Sequence, residues 1–228
     1  MQKILLLSFF LTGNCLLQAQ ENKYPAPAGT IRVEGDTLLL GGVRLELDQQ
    51  GFPGQIDSML AENIHFHFTR LADGKDIRLN SEGLVFTRQE PVLVEWRTTL
   101  ISDELKIVLN AVLRSEGSLS YKVSVTALQD LELKEIAMHI PLRPDSHYTW
   151  KKDTTRADRI DVSVGTPHTG LRYLLHSKEW NNQGKGGIIV GIKGRSLLVN
   201  NYSGARSMKK EDSIDYDFVL AILPKPPY

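Results

Sequence analysis

A polar loop with one tryptophan carries the most chemically versatile run of residues in this chain. Residues 180–187 read Trp-Asn-Asn-Gln-Gly-Lys-Gly-Gly. An indole face packs against the apolar C–H face of a sugar, while amide and ammonium groups hydrogen-bond its hydroxyls. Trp180, Asn181, Asn182 and Lys185 are therefore candidates for carbohydrate contact. The same residues would also suit a tight turn whose indole anchors a sheet corner or an interface with another domain.

Three further residues are candidates for such a surface. Arg206 ends the run Ser-Gly-Ala-Arg at 203–206 and suits either an internal ion pair or an interface contact. Tyr148 and Trp150 are two residues apart, so their rings would share one face of an extended segment. An exposed aromatic pair there would form a second platform for a sugar.

Two histidines have the spacing from which a metal site can start. His65 and His67 share one strand face, whereas Phe66 and Phe68 occupy the other. No third ligand can be assigned from the sequence, so we expect two surface or groove histidines rather than a zinc site. His139 alternates with apolar neighbours and is interpreted as structural. No cofactor and no bound metal are implied.

Catalytic templates fail along the chain. Asp215 and Asp217 are the best local carboxylate pair, because i and i+2 positions on a strand lie roughly 7 Å apart on one face. Their neighbours Tyr216 and Phe218 take the core face, so these aspartates should point to water. The sequence contains no nucleophile elbow, phosphate loop or dinucleotide-binding loop. We therefore assign no catalytic residue.

The N-terminus has the layout of a secretory signal. Lys3 precedes an apolar stretch at residues 4–11 that is too short to span a membrane, and Leu-Gln-Ala at 17–19 offers a cleavage site. We expect residues 1–19 to be a signal peptide and the protein to be secreted or periplasmic. Lipidation at Cys15 is the disfavoured alternative, because Asn14 is larger than the residue that normally precedes a lipidated cysteine.

Composition narrows the class of partner. The 27 basic and 27 acidic residues are mixed along the chain and give a net charge of zero. The basic stripe that nucleic-acid binding requires is absent, and no transmembrane segment follows the signal. Cleavage of the signal would remove the single cysteine, which excludes disulfides and thiolate chemistry in the mature chain.

The period of the apolar residues predicts strands rather than helices. Residues 105–113 and 119–127 alternate and flank a turn at 115–118, which is typical of a β-hairpin. Residues 131–142 form a strand whose apolar phase shifts between Leu133 and Ile136, as a β-bulge would require. Residues 213–223 form the last strand. Residues 49–54 are expected to form a turn, residues 59–63 at most one helical turn, and residues 146–169 an irregular polar connection.

These patterns predict an all-β protein, a mostly antiparallel β-sandwich, with a mutarotase-like supersandwich as one form that it could take. Residues 20–29 contain Pro25 and Pro27 and are expected to form a tether. Residues 30–228 would then form one domain, since about 200 residues can bury one substantial core.

Several sequence runs resemble one family. The series at 180–187, Tyr-Ser-Gly-Ala-Arg at 202–206 and Asp-Phe-Val-Leu-Ala-Ile-Leu-Pro-Lys-Pro at 217–226 is similar to the end of the β-sandwich domain in bacterial glycoside hydrolase family 123-like proteins. Leu-Glu-Leu-Asp at 45–48 with Gly-Phe-Pro at 51–53, and the run at 135–142 that ends Ile-Pro-Leu, extend the resemblance to residues 29–225. Residues 146–169 lack the glycine-rich run of the related proteins.

The resemblance implies a division of labour between two domains. In that family the sandwich leads into a catalytic (β/α)8 barrel whose acidic pair hydrolyses β-linked N-acetylgalactosamine, and here the chain ends at Tyr228, where the barrel would begin. We therefore expect a secreted, non-catalytic module that supports a catalytic barrel or contacts carbohydrate, such as N-acetylgalactosamine-containing glycans. Such a chain would be a truncated or split gene product without hydrolase activity of its own.

Two other functions remain open at this level. The first is a free-standing module for glycan binding or surface assembly. The second is a mutarotase-like sugar-modifying enzyme, which would need a histidine and a carboxylate converging on a concave sheet. Because the sandwich abuts a barrel in the resembled proteins, an exposed Trp180 within an apolar interface patch is the favoured interpretation of the loop.

Overall fold

The computed structural model describes residues 29–143, 149–156, 159–165, 170–194 and 196–223. Within this part, the regular structure consists of strands and two short 3₁₀ turns, Lys178–Trp180 and Asn182–Gly184. No helix of the described residues is long and apolar enough to cross a membrane. The strands are β1 (Arg32–Glu34), β2 (Thr37–Leu40), β3 (Val43–Leu47), β4 (Pro53–Ile56), β5 (His65–Arg70), β6 (Asn80–Glu90), β7 (Leu93–Ile101), β8 (Leu105–Arg114), β9 (Ser118–Ala127), β10 (Leu131–Leu142), β11 (Thr149–Arg156), β12 (Arg159–Gly165), β13 (Gly170–Leu175), β14 (Gly187–Lys193), β15 (Ser196–Tyr202), β16 (Arg206–Met208) and β17 (Ser213–Leu223).

The described strands form three antiparallel sheets. The first has the order β1-β2-β3-β4, and the largest has the order β11-β12-β13-β17-β9-β8-β7-β6. The five-stranded sheet has the order β14-β15-β10-β16, with β5 paired to β10. The prediction of an all-β, mostly antiparallel architecture is therefore confirmed.

The central hairpin follows the predicted alternation. Leu109 on β8 lies opposite Val123 on β9, and both side chains are fully buried. The intervening positions, such as Asn110 and Lys122, are exposed. One face of this hairpin thus belongs to the core and the other to the solvent.

Strand β10 is the central strand of the five-stranded sheet, because it pairs with three of the other four strands. It pairs with β15 and β16, and with β5, where the register shifts between Leu133 and Glu135. This irregularity lies where the sequence predicts a bulge, and beyond it Ile136, Met138 and Ile140 are fully buried. The extra residue restores the inward phase, because side chains alternate strictly along a strand.

An aromatic cluster fills the core between the five-stranded and eight-stranded sheets. The ring of Phe66 on β5 lies 5.7 Å from that of Tyr216 and 6.1 Å from that of Phe218, both on β17. Tyr121 on β9 stacks on Phe218 at 4.9 Å. Such ring pairs contribute beyond their buried area, so this cluster ties the two sheets together.

Two local predictions are wrong. Residues 149–156 and 159–165 pair as β11 and β12 instead of forming an irregular connection. The buried Val162 and Val164 alternate with polar positions on β12, so a period of two is present within a largely polar run. Pro53–Ile56 is strand β4 rather than part of a turn. Residues 59–63, for which the sequence allowed at most one helical turn, contain an isolated bridge from Leu60 to Leu142.

Candidate functional site

The tryptophan loop is a compact double turn between β13 and β14. Its chain reverses at Asn182 and Gln183, whose φ angles are 42° and 57°. The Asn181 side-chain oxygen accepts a hydrogen bond from the Gly184 amide at 3.0 Å. The left-handed backbone is unusual for non-glycine residues, so the surrounding contacts must hold this shape.

The indole of Trp180 points into the protein. Its side chain is 2% exposed, and its ring lies 4.8 Å from Tyr216 and 5.8 Å from Phe66. The indole Nε1 donates a hydrogen bond to the Asp217 carbonyl oxygen at 3.2 Å. The expectation of an exposed Trp180, as a sugar platform or in an interface patch, is therefore wrong. The alternative interpretation, a structural sheet corner, agrees with the contacts.

Two polar side chains at the loop, Asn182 and Arg206, make internal contacts. Asn182 Nδ2 donates to the carbonyl oxygens of Ser203 at 2.6 Å and Ala205 at 3.1 Å. Arg206 Nη2 donates to the Glu179 carbonyl at 2.8 Å, and its Nη1 lies 2.5 Å from the Glu179 carboxylate. Both side chains of this ion pair are mostly buried. Arg206 thus forms the internal ion pair that the sequence offered as one alternative.

The remaining candidates of this group are placed differently. Lys185 and Asn181 are exposed, so their contact with a sugar or another domain stays a prediction. Tyr148 lies outside the described residues, as does the side chain of Trp150. The backbone of Trp150 lies on β11 opposite Val164.

A histidine cluster lies on the outer face of the five-stranded sheet. His65 and His67 on β5 have their rings 5.1 Å and 4.8 Å from that of His139 on β10. His67 Nδ1 is 3.1 Å from the Asp76 carboxylate, which also accepts a hydrogen bond from Thr69. Within the described residues, no group of three or more His, Cys, Asp or Glu side chains is arranged to hold a metal ion.

Sequence reasoning missed that His139 joins the other two histidines. The pairing of β10 with β5 places His139 directly opposite His65. The two positions are far apart along the chain, and the alternation within each strand does not say which strands pair. The sequence did indicate that His67 and His139 each lie on the face of their own strand that points away from the core.

Burial and neighbouring positive charge lower the pKa of His139 to about 4 from its ordinary value of 6.5. The charges of His67, His65 and Lys193 act in that direction, whereas Asp76 opposes them. His139 is 7% exposed, so its neutral form is the one that the fold accommodates.

Acidification should therefore destabilise the protein through His139. Between about pH 6.5 and pH 4 the unfolded chain binds a proton that the folded chain does not, so the free energy of unfolding falls by up to about 3 kcal/mol. Urea unfolding of the wild type and His139→Gln across this range measures the effect, and the variant should lose less stability. Above about pH 7, His139 is neutral in the folded and unfolded chains, so it should not make the free energy of unfolding depend on pH. Equal losses in both proteins would contradict the assignment.

A polar cavity of about 950 Å³ adjoins the histidine cluster. Asp76 belongs to both, because its carboxylate contacts His67 and also lines the cavity. The other lining residues come from the end of β5, the start of β6 and the segment between them, from the turn between β7 and β8, and from the turn between β9 and β10: Arg70, Gly74, Lys75, Ile77, Arg78, Asn80, Ser102, Asp103, Glu104 and Gln129. None of these side chains stood out in the sequence, since most of them lie in short connections between strands.

The carboxylate pair on β17 faces away from the core, as predicted. Tyr216 and Phe218 are buried, while Asp215 is about half exposed and contacts Lys122 at 3.1 Å. Ser124 donates a hydrogen bond to Asp215 at 2.6 Å, and this bond, with help from Lys122, lowers the pKa of that carboxyl. These are the contacts of an ordinary sheet surface.

Comparison with known proteins decides the family. The family model described as glycoside hydrolase 123, third domain, matches residues 31–150 and 165–224, which is most of the chain. This chain belongs to the glycoside hydrolase 123 third-domain family. The resemblance seen in the sequence is thereby confirmed, and the chain is a β-sandwich domain of this glycoside hydrolase family.

The gap in the match is also informative. Residues 151–164 are unmatched, and they contain most of the β11–β12 hairpin at one edge of the largest sheet. The family match therefore leaves out most of this edge hairpin.

Solved structures show distant similarity to the third-domain chain. An Escherichia coli K12 protein, provisionally an aldose 1-epimerase, is 8% identical with a TM-score of 0.48, over 85% of this chain and 98% of that one. The Slr1438 protein from Synechocystis sp. PCC 6803 is 10% identical with a TM-score of 0.46, over 90% and 99%. Heparan sulfate lyase HepC from Pedobacter heparinus is 9% identical with a TM-score of 0.46, over 84% and 34%, so this chain spans about a third of it. No curated protein sequence matches the chain.

Proposed function

We propose that this chain is a secreted, non-catalytic module of a glycoside hydrolase 123-like protein and that it supports a catalytic barrel. The observation that carries the proposal is the internal use of the Trp180 loop, in a domain of this family. Two loop residues that carry the family resemblance, Trp180 and Asn182, tie the loop to β17 and to the segment between β15 and β16. A motif with that role preserves the shape of a domain rather than performing chemistry.

An exposed apolar surface next to the loop would suit the barrel. Strand β14 begins directly after the loop and is an edge strand of the five-stranded sheet. Its Ile189 and Ile192 are 57% and 82% exposed. Apolar side chains on an exposed sheet edge favour association with another protein surface. The two positions are three apart and lie on opposite faces of β14, so a partner domain that buries both isoleucines must cover the edge of this strand.

The test measures association with a barrel supplied as a separate polypeptide from a glycoside hydrolase 123 protein. We expect the wild type to bind, and Ile189→Lys/Ile192→Lys to bind at least about tenfold more weakly, because two charges would be buried without partners. Val85→Lys/Val92→Lys is the matched control, since both valines are equally exposed elsewhere. Failure of the wild type to bind, or equal losses in both variants, would refute the supporting role.

Two further measurements accompany this test. The purified chain should not hydrolyse aryl N-acetyl-β-galactosaminides above a heat-killed control, because the described carboxylates form no inward-facing pair on β17. Secretion is supported by the signal layout of residues 1–19 and requires that the exported protein begin at Gln20. Turnover that a carboxylate substitution abolishes, or retention of the protein in the cytoplasm, would overturn the corresponding part of the proposal.

A further inference from the structure

The cavity beside β5 is suited to a small ligand by its size and its position. Its volume of about 950 Å³ lies at the upper end of the range typical of small-molecule sites. It is formed where the β5–β6 connection meets the turn between β7 and β8, so elements from both large sheets contribute to it. It lies on a different surface from the exposed isoleucines of β14, since β5 and β14 are opposite edges of the five-stranded sheet.

The charges of the cavity are balanced. Arg70, Lys75 and Arg78 face it together with Asp76, Asp103 and Glu104. Because positive and negative groups are equal in number, the site has no excess charge with which to hold a polyanion. Instead it offers hydrogen-bond donors and acceptors side by side. Sugar hydroxyls donate and accept at the same time, so this mixture matches a polyhydroxylated, uncharged ligand.

Part of the lining is held rigidly. Arg70 Nε donates to both carboxylate oxygens of Glu104, at 2.8 Å and 2.9 Å, and Glu104 is only 15% exposed. Asp76 is fixed by hydrogen bonding to Thr69 and by contact with His67. These side chains lose little freedom when a ligand binds, which lowers the entropic cost of association.

Other lining groups are available to a ligand. Within the described part of the chain, Arg78 and Asp103 make no side-chain hydrogen bond or ion pair, and both are exposed. Asn80 and Gln129 add exposed amides, which donate and accept equally well. A fixed wall beside free polar groups is the arrangement expected of a binding site rather than of a closed salt-bridge network.

We propose that this cavity binds a neutral sugar or a short neutral oligosaccharide. Arg78 and Asp103 hydrogen-bond its hydroxyls, while Asp76 and the Arg70–Glu104 pair form the fixed wall. No aromatic side chain is among the described lining residues, so hydrogen bonds rather than ring stacking hold the ligand. This role goes beyond support of a barrel and does not depend on it.

Calorimetric titration of the full chain with N-acetylgalactosamine, galactose and short neutral oligosaccharides containing them tests the site. We expect at least one of these probes to bind, and Arg78→Ala/Asp103→Asn to weaken that binding at least tenfold. This double variant leaves the net charge unchanged. The control Arg114→Ala/Glu34→Gln also leaves it unchanged, and Arg114 lies at the other end of β8 from the cavity. The control should bind like the wild type.

Several outcomes would overturn the proposal. They are the absence of binding by every neutral probe at high millimolar concentration, equal weakening in both double variants, or competition by inorganic sulfate, which would indicate an anion site. Lys75→Ala/Gln129→Ala provides a second variant of the lining, and unchanged thermal unfolding shows that each variant is folded. Because the barrel test uses Ile189 and Ile192 and measures protein association, failure of one proposal is distinguishable from failure of the other.

Discussion

Replacing Trp180 with alanine should lower the free energy of unfolding by about 3–5 kcal/mol. The indole is almost fully buried, packs against Tyr216 and Phe66, and donates a hydrogen bond to the Asp217 carbonyl. Alanine would leave a cavity in the aromatic cluster, and the Asp217 carbonyl would keep only its hydrogen bond from the His176 amide. Urea unfolding followed by circular dichroism measures the loss.

Trp180→Phe is the matched variant for this position. It keeps an aromatic ring in the cluster but cannot donate the hydrogen bond, so it should lose much less stability than alanine does. A loss below about 1 kcal/mol for Trp180→Ala, combined with weakened glycan binding, would show that Trp180 acts as a sugar platform after all.

Replacing Gly186 with alanine should cost at least about 3 kcal/mol. A Cβ at this position would overlap the carbonyl oxygen of Trp180 and would lie 3.0 Å from the carbonyl oxygen of Tyr202. Both are backbone atoms, so neither can rotate away as a flexible side chain would. The loop would have to move, and the contacts of Trp180 and Asn182 would move with it.

Gly191→Ala is the control for this prediction. Gly191 lies on β14, the strand that Gly186 immediately precedes, and a Cβ there meets nothing within 4 Å. Because glycine is unfavourable inside a strand, Gly191→Ala should be neutral or slightly stabilising. Similar midpoints of urea unfolding for the two variants would contradict the close packing of the loop.

These predictions separate the stability of the chain from its two proposed binding functions. The loop residues Trp180, Asn182 and Arg206 are expected to affect stability, because the structure commits them to internal contacts. Ile189 and Ile192 should affect association with a barrel, and the cavity residues Arg78 and Asp103 should affect sugar binding. In each of these last two sets the side chains are exposed, so their substitution should leave the fold intact.

Local patterns in the sequence predicted much of the fold. The hairpin of β8 and β9, the bulge after Leu133 and the last strand from Ser213 to Leu223 all follow from the period of two with which strand side chains alternate. The family resemblance rested likewise on short runs, most clearly those around Trp180. The same local logic failed for β11 and β12, whose many polar residues hid the alternation of Val162 and Val164.

Only the tertiary structure shows which distant parts of the chain come into contact. The sequence indicated that Trp180 was important, but its burial required β5 and β17 to bring Phe66 and Tyr216 around it. The ion pair of Arg206 and the meeting of His139 with His65 have the same origin. Alternation assigns a side chain to one face of its own strand. Only the pairing and packing of whole sheets determine what that face meets.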